Sequence, residues 1–168
     1  MVLFKSCPKC GEERITFDGI KKYSCENCDW TFFQNTAAAV AGIITFQDKV
    51  LAVRRNRDPG KGLLDFPGGF VDPNESLEQA LYREINEELR AEINNITYLC
   101  SSPNTYKYKG ITYSTCDSFF TAEIDNDNFE LEKSEIAEVV FLDKNELNPD
   151  LFAFKSMRAG IEAFRKNF

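Results

Sequence analysis

Histidine is absent from the 168 residues. The side chain that most often acts as general base near neutral pH, and the usual nitrogen ligand of zinc, is therefore missing. Acid–base work falls to Glu, Asp, Lys, Tyr or Cys, and a metal must be held by carboxylates or thiolates. Long apolar runs are missing too. None reaches the roughly 20 residues that span a bilayer, and Met1 to Lys9 has no extended apolar core of the kind a secretory signal carries. These absences predict a cytoplasmic protein with no membrane partner. Basic excess is also lacking: 27 acidic residues face 20 basic ones, for a net charge of -7. Such a chain repels a phosphate backbone unless metal or a local basic patch intervenes, so no DNA partner is expected. What is present suits a soluble domain with one real core and room for a small appendage.

The appendage is marked by cysteine. Cys7-Pro8-Lys9-Cys10 and Cys25-Glu26-Asn27-Cys28 are two CxxC pairs separated by 14 residues. This is four-thiolate spacing for a tetrahedral site, and soft thiolate favours Zn²⁺ over hard cations. Two redox CxxC motifs or a disulfide pair are the alternatives. Residues 1–34 hold five basic and five acidic side chains, and four thiolates around one Zn²⁺ add further negative charge. That is no footprint for nucleic acid. The segment reads as a zinc ribbon that staples a stretch too short to bury a core of its own. Cys100 and Cys116 stand in strand-like runs and read as small buried hydrophobes.

From residue 35 to 168 the pattern is that of a second domain. Ala37–Phe46 (AAAVAGIITF) and Lys49–Arg55 (KVLAVRR) read as a strand pair turning at Gln47-Asp48. A loop rich in Gly, Pro and charge covers Asn56 to Gly69. A helix is predicted over Leu77–Leu89, with Ser76 and Gln79 as a capping box. Strands are predicted at Ile93–Ser101, Thr112–Ile124 and Glu138–Leu142, and an amphipathic helix at Phe154–Arg165. The reading is an α/β (α+β) fold, a mixed sheet with helices packed on it.

On the first helix Leu77, Leu81, Ile85 and Leu89 form an apolar stripe, and Glu84, Glu87 and Glu88 lie beside it within one turn. Carboxylates at i, i+3 and i+4 can converge on a hard divalent cation. A solvated charged face is the alternative. Against it, these groups crowd one another and sit toward the helix C-terminus, where the macrodipole disfavours negative charge. Ahead of the helix stands Pro67-Gly68-Gly69, where paired glycines let backbone approach a ligand closely.

Gly69, Glu75, Arg83, Glu84, Ile85, Glu87 and Glu88 carry a specific resemblance. The segment GFVDPNESLEQALYREINEELRA is similar to the Nudix box, with one departure: the closing glycine of the family is Arg90 here. The resemblance implies the Nudix α/β/α sandwich and hydrolysis of a nucleoside diphosphate linked to a second moiety. It implies that Glu84, Glu87 and Glu88 bind Mg²⁺ or Mn²⁺, with a carbonyl of the Gly68-Gly69 turn, and that Arg83 holds a box glutamate, Glu75. It also implies a water nucleophile made at the metal, which needs no histidine.

A four-cysteine ribbon directly before such a domain resembles the NADH pyrophosphatase-like branch of the family, as does the join Trp30-Thr31-Phe32-Phe33-Gln34. That branch usually carries a further domain ahead of the ribbon, which is not expected here. It also carries an SQPWPFPxS array, where this chain reads Ser101-Ser102-Pro103-Asn104-Thr105-Tyr106. The resemblance thus implies a small nucleotide substrate such as NAD(H) or ADP-ribose, or a nucleotide cap on an RNA end, without deciding among them. By the same resemblance Glu135 falls where a further acid assists metal binding or acts as base, with a strand-edge surface charge as the alternative. Phe70 and Phe33 fall where rings stack on a base, or simply pack. Arg54, Arg55, Arg57 and Lys61 form the dense basic cluster, expected to hold phosphate, Arg54 and Lys61 above all, with a solvated loop as the alternative. The family often dimerises, so a homodimer is compatible. A non-catalytic Nudix-like nucleotide-binding or regulatory module stays open as the alternative function.

Overall fold

The computed structural model describes residues 3–167. They fall into two compact units, Met1–Thr36 and Ala37–Phe168. In the first, β1 (Ile15–Phe17), β2 (Lys22–Cys25) and β3 (Thr31–Phe33) form an antiparallel three-stranded sheet in the order β1-β2-β3. Its apolar content is a small ring cluster. Phe4 meets Tyr23, Trp30 and Phe32 edge-on, at 5.2–5.3 Å between centroids. Phe17, Phe32 and Phe33 stay exposed, so this unit has little buried core to hold it.

The second unit is built on a six-stranded mixed sheet. β4 (Ala37–Phe46) and β5 (Lys49–Arg55) form the expected hairpin. Gln47 and Asp48 both have positive φ, 47° and 65°, the left-handed pair that a two-residue hairpin turn requires. A two-residue strand, β6 (Leu64–Asp65), lies inside the segment predicted as loop. β7 (Asn94–Tyr108), β8 (Ile111–Glu123) and β9 (Ile136–Asp143) complete the sheet, in the order β6-β5-β4-β8-β7 with β9 on β5. Only β4 and β8 run parallel; the other pairs are antiparallel.

Side chains alternate across each strand and feed two apolar clusters. On one face Val40, Ile44, Leu51, Val53 and Phe120 pack with Leu81, Ile85 and Leu89 of α1 (Leu77–Leu89). On the other, Ala41, Ile43, Val50, Ala52 and Phe119 pack with Met157, Ile161 and Phe164 of α2 (Ser156–Asn167). Each buried Leu, Ile or Phe of this kind contributes about 1.5–3 kcal/mol. The result is helix, sheet, helix: the α/β/α sandwich expected.

Two details of pairing place the site. β4 and β5 pair only beside their turn, from Ile44↔Leu51 to Phe46↔Lys49. The edge of β4 that β5 leaves is taken by the Pro67–Val71 segment. Val40 N donates to Gly69 O, Gly42 N to Pro67 O and Val71 N to Ala38 O, at 2.9–3.1 Å. The glycine turn is thereby held against the sheet beside α1.

One expectation is corrected. Cys116 is exposed and Cys100 half-buried, rather than both buried. On β8 it is the polar neighbours Thr115 and Asp117 that face inward, so alternation turns Cys116 out.

Candidate active site and metal centres

α1 begins where its capping box says it should. Ser76 Oγ accepts from Gln79 N at 3.2 Å, and Gln79 Oε1 accepts from Ser76 N at 2.8 Å. These bonds satisfy two of the donors a helix start leaves open. The helix ends with Arg90 in the left-handed region, φ 54° and ψ 32°, its N–H donating to Asn86 O. Arg90 therefore adopts the terminating conformation that glycine would take at lower cost.

Between these ends Arg83 organises the carboxylates. Its Nε and Nη2 form a fork on Glu75, at 2.7 and 3.0 Å. Nη1 donates to Glu84 Oε1 at 2.7 Å and to Glu87 Oε2 at 3.3 Å, and Nη2 also reaches Phe70 O at 3.0 Å. One guanidinium thus ties the loop after the glycine turn to the helix, which a lysine point charge would not do. The bonds from Arg83 hold Glu75 below the usual carboxylate range.

Glu88 is buried among its neighbours, at 9% exposure. Its Oε2 accepts from Gly68 N at 3.0 Å. Burial pushes its carboxyl well above the ordinary value, and the charges of Glu84, Asp65 and Glu135 push the same way. Glu84 is raised as well, first by burial, with Arg83 opposing. The glycine turn leaves no alternative residues here. Gly68 has φ +146°, and a Cβ on it would stand 2.2 Å from Val40 O; one on Gly69 would stand 2.5 Å from Glu84 Oε1. Backbone and carboxylates meet where a side chain would otherwise be.

These groups line one side of a cleft of about 610 Å³. Eight carboxylates, Asp65, Asp72, Glu84, Glu87, Glu88, Asp117, Glu132 and Glu135, line it against Arg55, Arg57 and Arg90. A diphosphate would be repelled from such a surface unless cations intervene. The donor set of hard oxygens beside a buried, raised carboxylate fits Mg²⁺ or Mn²⁺. Gly69 O is already engaged by Val40 N. Among the described residues Gly68 O has no such partner, and it is the carbonyl available to a cation.

The four ribbon cysteines also converge. Their sulfurs all lie within 4.8 Å of one another, with Cys7–Cys28 at 3.8 Å and Cys10–Cys25 at 3.6 Å. A tetrahedron with Zn–S bonds of about 2.3 Å has sulfur–sulfur edges near 3.8 Å, so the donor set fits zinc in kind and in size.

The NUDIX domain family model matches residues 35–164. This chain belongs to the Nudix family. It is 38% identical over 77 residues to an ADP-ribose pyrophosphatase of Methanocaldococcus jannaschii, covering 45% of this chain and 46% of that protein. It is 32% identical over 95 residues to an NAD-capped RNA hydrolase NudC of Pseudomonas fluorescens, covering 56% and 34%. The chain thus spans less than half the length of these curated relatives. Among solved structures, a NUDIX hydrolase from Nitrosomonas europaea matches with TM-score 0.69 at 24% identity, over 96% of this chain and 89% of that one. The NUDIX domain of Shewanella oneidensis NrtR complexed with ADP ribose matches with TM-score 0.64 at 25% identity, over 80% and 90%.

Of the residues singled out by sequence, the Nudix fold brings Gly68, Phe70, Glu84, Glu87, Glu88 and Glu135 to the cleft. Arg83 stands behind them, and Arg57 forms a close ion pair with Glu135. Arg54 and Lys61 are not in its lining. β5 is irregular between Arg54 and Arg55, and the two arginines part there. Arg54 turns to Glu138 (2.6 Å) and Gly62 O (3.0 Å), and Lys61 is exposed in the following turn. The cleft receives Arg55 and Arg57 instead. Phe33 lies on β3 of the first unit, 48% exposed.

Sequence reasoning missed the far wall. Arg55 Nη1 bonds buried Asp65 at 2.7 Å, Arg55 Nε bonds Pro59 O at 2.7 Å, and the guanidinium lies 4.9 Å over the Phe154 ring. Burial raises Asp65 to about 6, with Arg55 opposing and Asp117 adding. A second buried acid, Asp117, accepts from Thr115, Ser156 and Asn104. A lone Asp inside the apolar run Leu63-Leu64-Asp65-Phe66 was the available signal, because a charge placed there must find a partner or be neutral.

Proposed function

We propose that the chain is a metal-dependent Nudix pyrophosphohydrolase. It opens the diphosphate of a nucleoside diphosphate linked to a second moiety, with ADP-ribose and NAD(H) as the substrate class. The observation that carries this reading is the set of carboxylates in the cleft lining: Glu84 and a buried Glu88 beside the Gly68-Gly69 turn, with Glu87 tied to Glu84 through Arg83. Glu84, Glu87, Glu88 and Gly68 O would hold Mg²⁺ or Mn²⁺. When bound, the ions neutralise the diphosphate and lower the pKa of a coordinated water. The protein's own part is to orient and to take a proton. Arg83 holds Glu75, Glu84 and Glu87 in register, and Glu135, steadied by Arg57, is the carboxylate assigned to accept the proton as water oxygen bonds to phosphorus and the bridging P–O bond breaks. The relatives named as an ADP-ribose pyrophosphatase and an NAD-capped RNA hydrolase, and a neighbour holding ADP ribose, support the substrate class. The complete set of box carboxylates favours this over a binding module without activity. In the ribbon, Cys7, Cys10, Cys25 and Cys28 are assigned one structural Zn²⁺.

The test is a panel of ADP-ribose, NADH, NAD⁺, diadenosine polyphosphates and nucleoside triphosphates with Mg²⁺ or Mn²⁺. ADP-ribose or NADH should be hydrolysed, and chelation should abolish turnover. Glu87→Gln should remain folded and lose activity by roughly a hundredfold or more. No turnover of any compound, or an undiminished Glu87→Gln variant, would remove this reading.

A further inference from the structure

Part of the cleft lining is built around the buried carboxylate of Asp117. Asp117 is 6% exposed, Thr115 3% and Ser156 1%. Three donors converge on the Asp117 carboxylate: Thr115 Oγ1 on Oδ1 at 2.7 Å, Ser156 Oγ on Oδ2 at 2.6 Å, and Asn104 Nδ2 on Oδ2 at 2.8 Å. A carboxylate can only accept, so it admits the Asn104 amide in one orientation, NH₂ toward Asp117. Reversing the amide would set its oxygen against the carboxylate. Asn104 lines the cleft, and among the described residues its Oδ1 has no hydrogen-bond partner. An acceptor of fixed direction therefore remains for a ligand.

Its surroundings are flat and apolar. Tyr106, two residues on along the same face of β7, meets Phe70 edge-on at 5.4 Å and Phe154 at 5.7 Å. Phe154 in turn lies under the Arg55 guanidinium. Arg55 bonds Asp65 through Nη1 and Pro59 O through Nε, and its Nη2 has no partner among the described residues. The flat apolar faces suit a planar ring.

We propose that Asn104 is the specificity-determining residue of the cleft, its Oδ1 accepting from the 6-amino group of a purine and so selecting a 6-amino-purine over a 6-keto-purine. The inference rests on the cleft being the nucleotide site of the proposed hydrolase, and it names which half of the substrate this part of the lining reads. A keto-purine would bring a carbonyl oxygen against Oδ1 and leave both acceptors unpaired.

Calorimetric titration of AMP and IMP into the protein with Mg²⁺ present tests this apart from turnover, because neither nucleotide carries a diphosphate to cleave and the cation offsets the acidic lining. AMP should bind roughly ten- to a hundredfold more tightly than IMP. Asn104→Ala, a change at a half-buried cleft position, should erase the preference by weakening AMP and sparing IMP. Asp117→Asn releases the orientation of the amide and should shrink or invert the ratio. Equal binding of AMP and IMP by the unaltered protein, or a preference that survives in Asn104→Ala, would overturn the proposal. A failed hydrolysis panel with an intact AMP preference would remove the enzyme reading alone.

Discussion

The two units of this protein gather charged ligands in opposite ways. In the ribbon, four thiolates come together where there is almost nothing else to bury, and three short strands hang from them. In the Nudix unit, two apolar clusters already secure the sheet and helices, and the carboxylates crowd at a place the core can bear. On the assignment proposed here, metal would stabilise the first unit. In the second, burial raises the carboxyls of Glu84 and Glu88, and on the same assignment metal would offset that cost. Removing a ligand should therefore have opposite signs in the two regions.

The largest effect is expected in the ribbon. Zinc in a four-thiolate site contributes about 10–16 kcal/mol of apparent binding energy. Cys25→Ser, or chelation, should abolish amide exchange protection in β2. Protection retained in zinc-free protein would break the comparison on this side.

In the Nudix unit Glu88→Gln should do the reverse. Activity should fall roughly a hundred- to ten-thousandfold, while the thermal midpoint of metal-free protein rises, because a neutral amide no longer pays for burial. A drop in that midpoint would show that Glu88 supports the fold.

The same asymmetry predicts a pH dependence. In the unfolded chain Asp and Glu ionise near 4. Folded, Asp65 holds its proton up to about 6, and Glu88 is also raised. Between those values the native state binds more protons, so the stability of metal-free protein should fall as pH rises through that window. Mg²⁺ favours the ionised carboxylates and should flatten the slope in a chemical denaturation series. A metal-free curve that climbs over the same range would contradict the burial argument.

The smallest effect concerns the helix end. Arg90→Gly removes a side chain from the left-handed region and should add about 1 kcal/mol, or roughly 2–4 °C in thermal midpoint. A loss of stability would mean that the Arg90 side chain contributes more than its backbone costs.

The regular elements were largely legible. The helix Leu77–Leu89 and the strands Ala37–Phe46 and Lys49–Arg55 stand where periodicity, the capping box and the turn residues put them. β7 was not. Ser101-Ser102-Pro103-Asn104 suggests the end of a strand, yet β7 runs on to Tyr108. It lies at the edge of the sheet, where a proline's missing N–H breaks no interior ladder. That extension carries Asn104 and Tyr106 to the cleft. The basic cluster misled for a related reason: adjacent residues of a strand point to different sides, so composition could not say that Arg55, not Arg54, faces inward.

The sequence by itself determined the two candidate ligand sets, because each rests on local spacing: CxxC pairs, and carboxylates at i, i+3 and i+4 of one helix. The structure brings the four sulfurs within 4.8 Å of one another and places Glu84, Glu87 and Glu88 in the cleft lining. The sequence also marked Gly68 and Gly69 as a place of close backbone approach; that a side chain on Gly68 would collide with Val40 O is a tertiary fact. Only the tertiary structure decided what else lines the cleft. The rest of the lining and its supports draw Arg55 from β5, Asp65 from β6, Asn104 and Tyr106 from β7, Thr115 and Asp117 from β8, Phe154 from the segment before α2 and Ser156 from its first residue. Residues so far apart in the chain share no period. Their meeting depends on sheet order and on a β4–β5 pair that separates early enough to seat the glycine turn against β4.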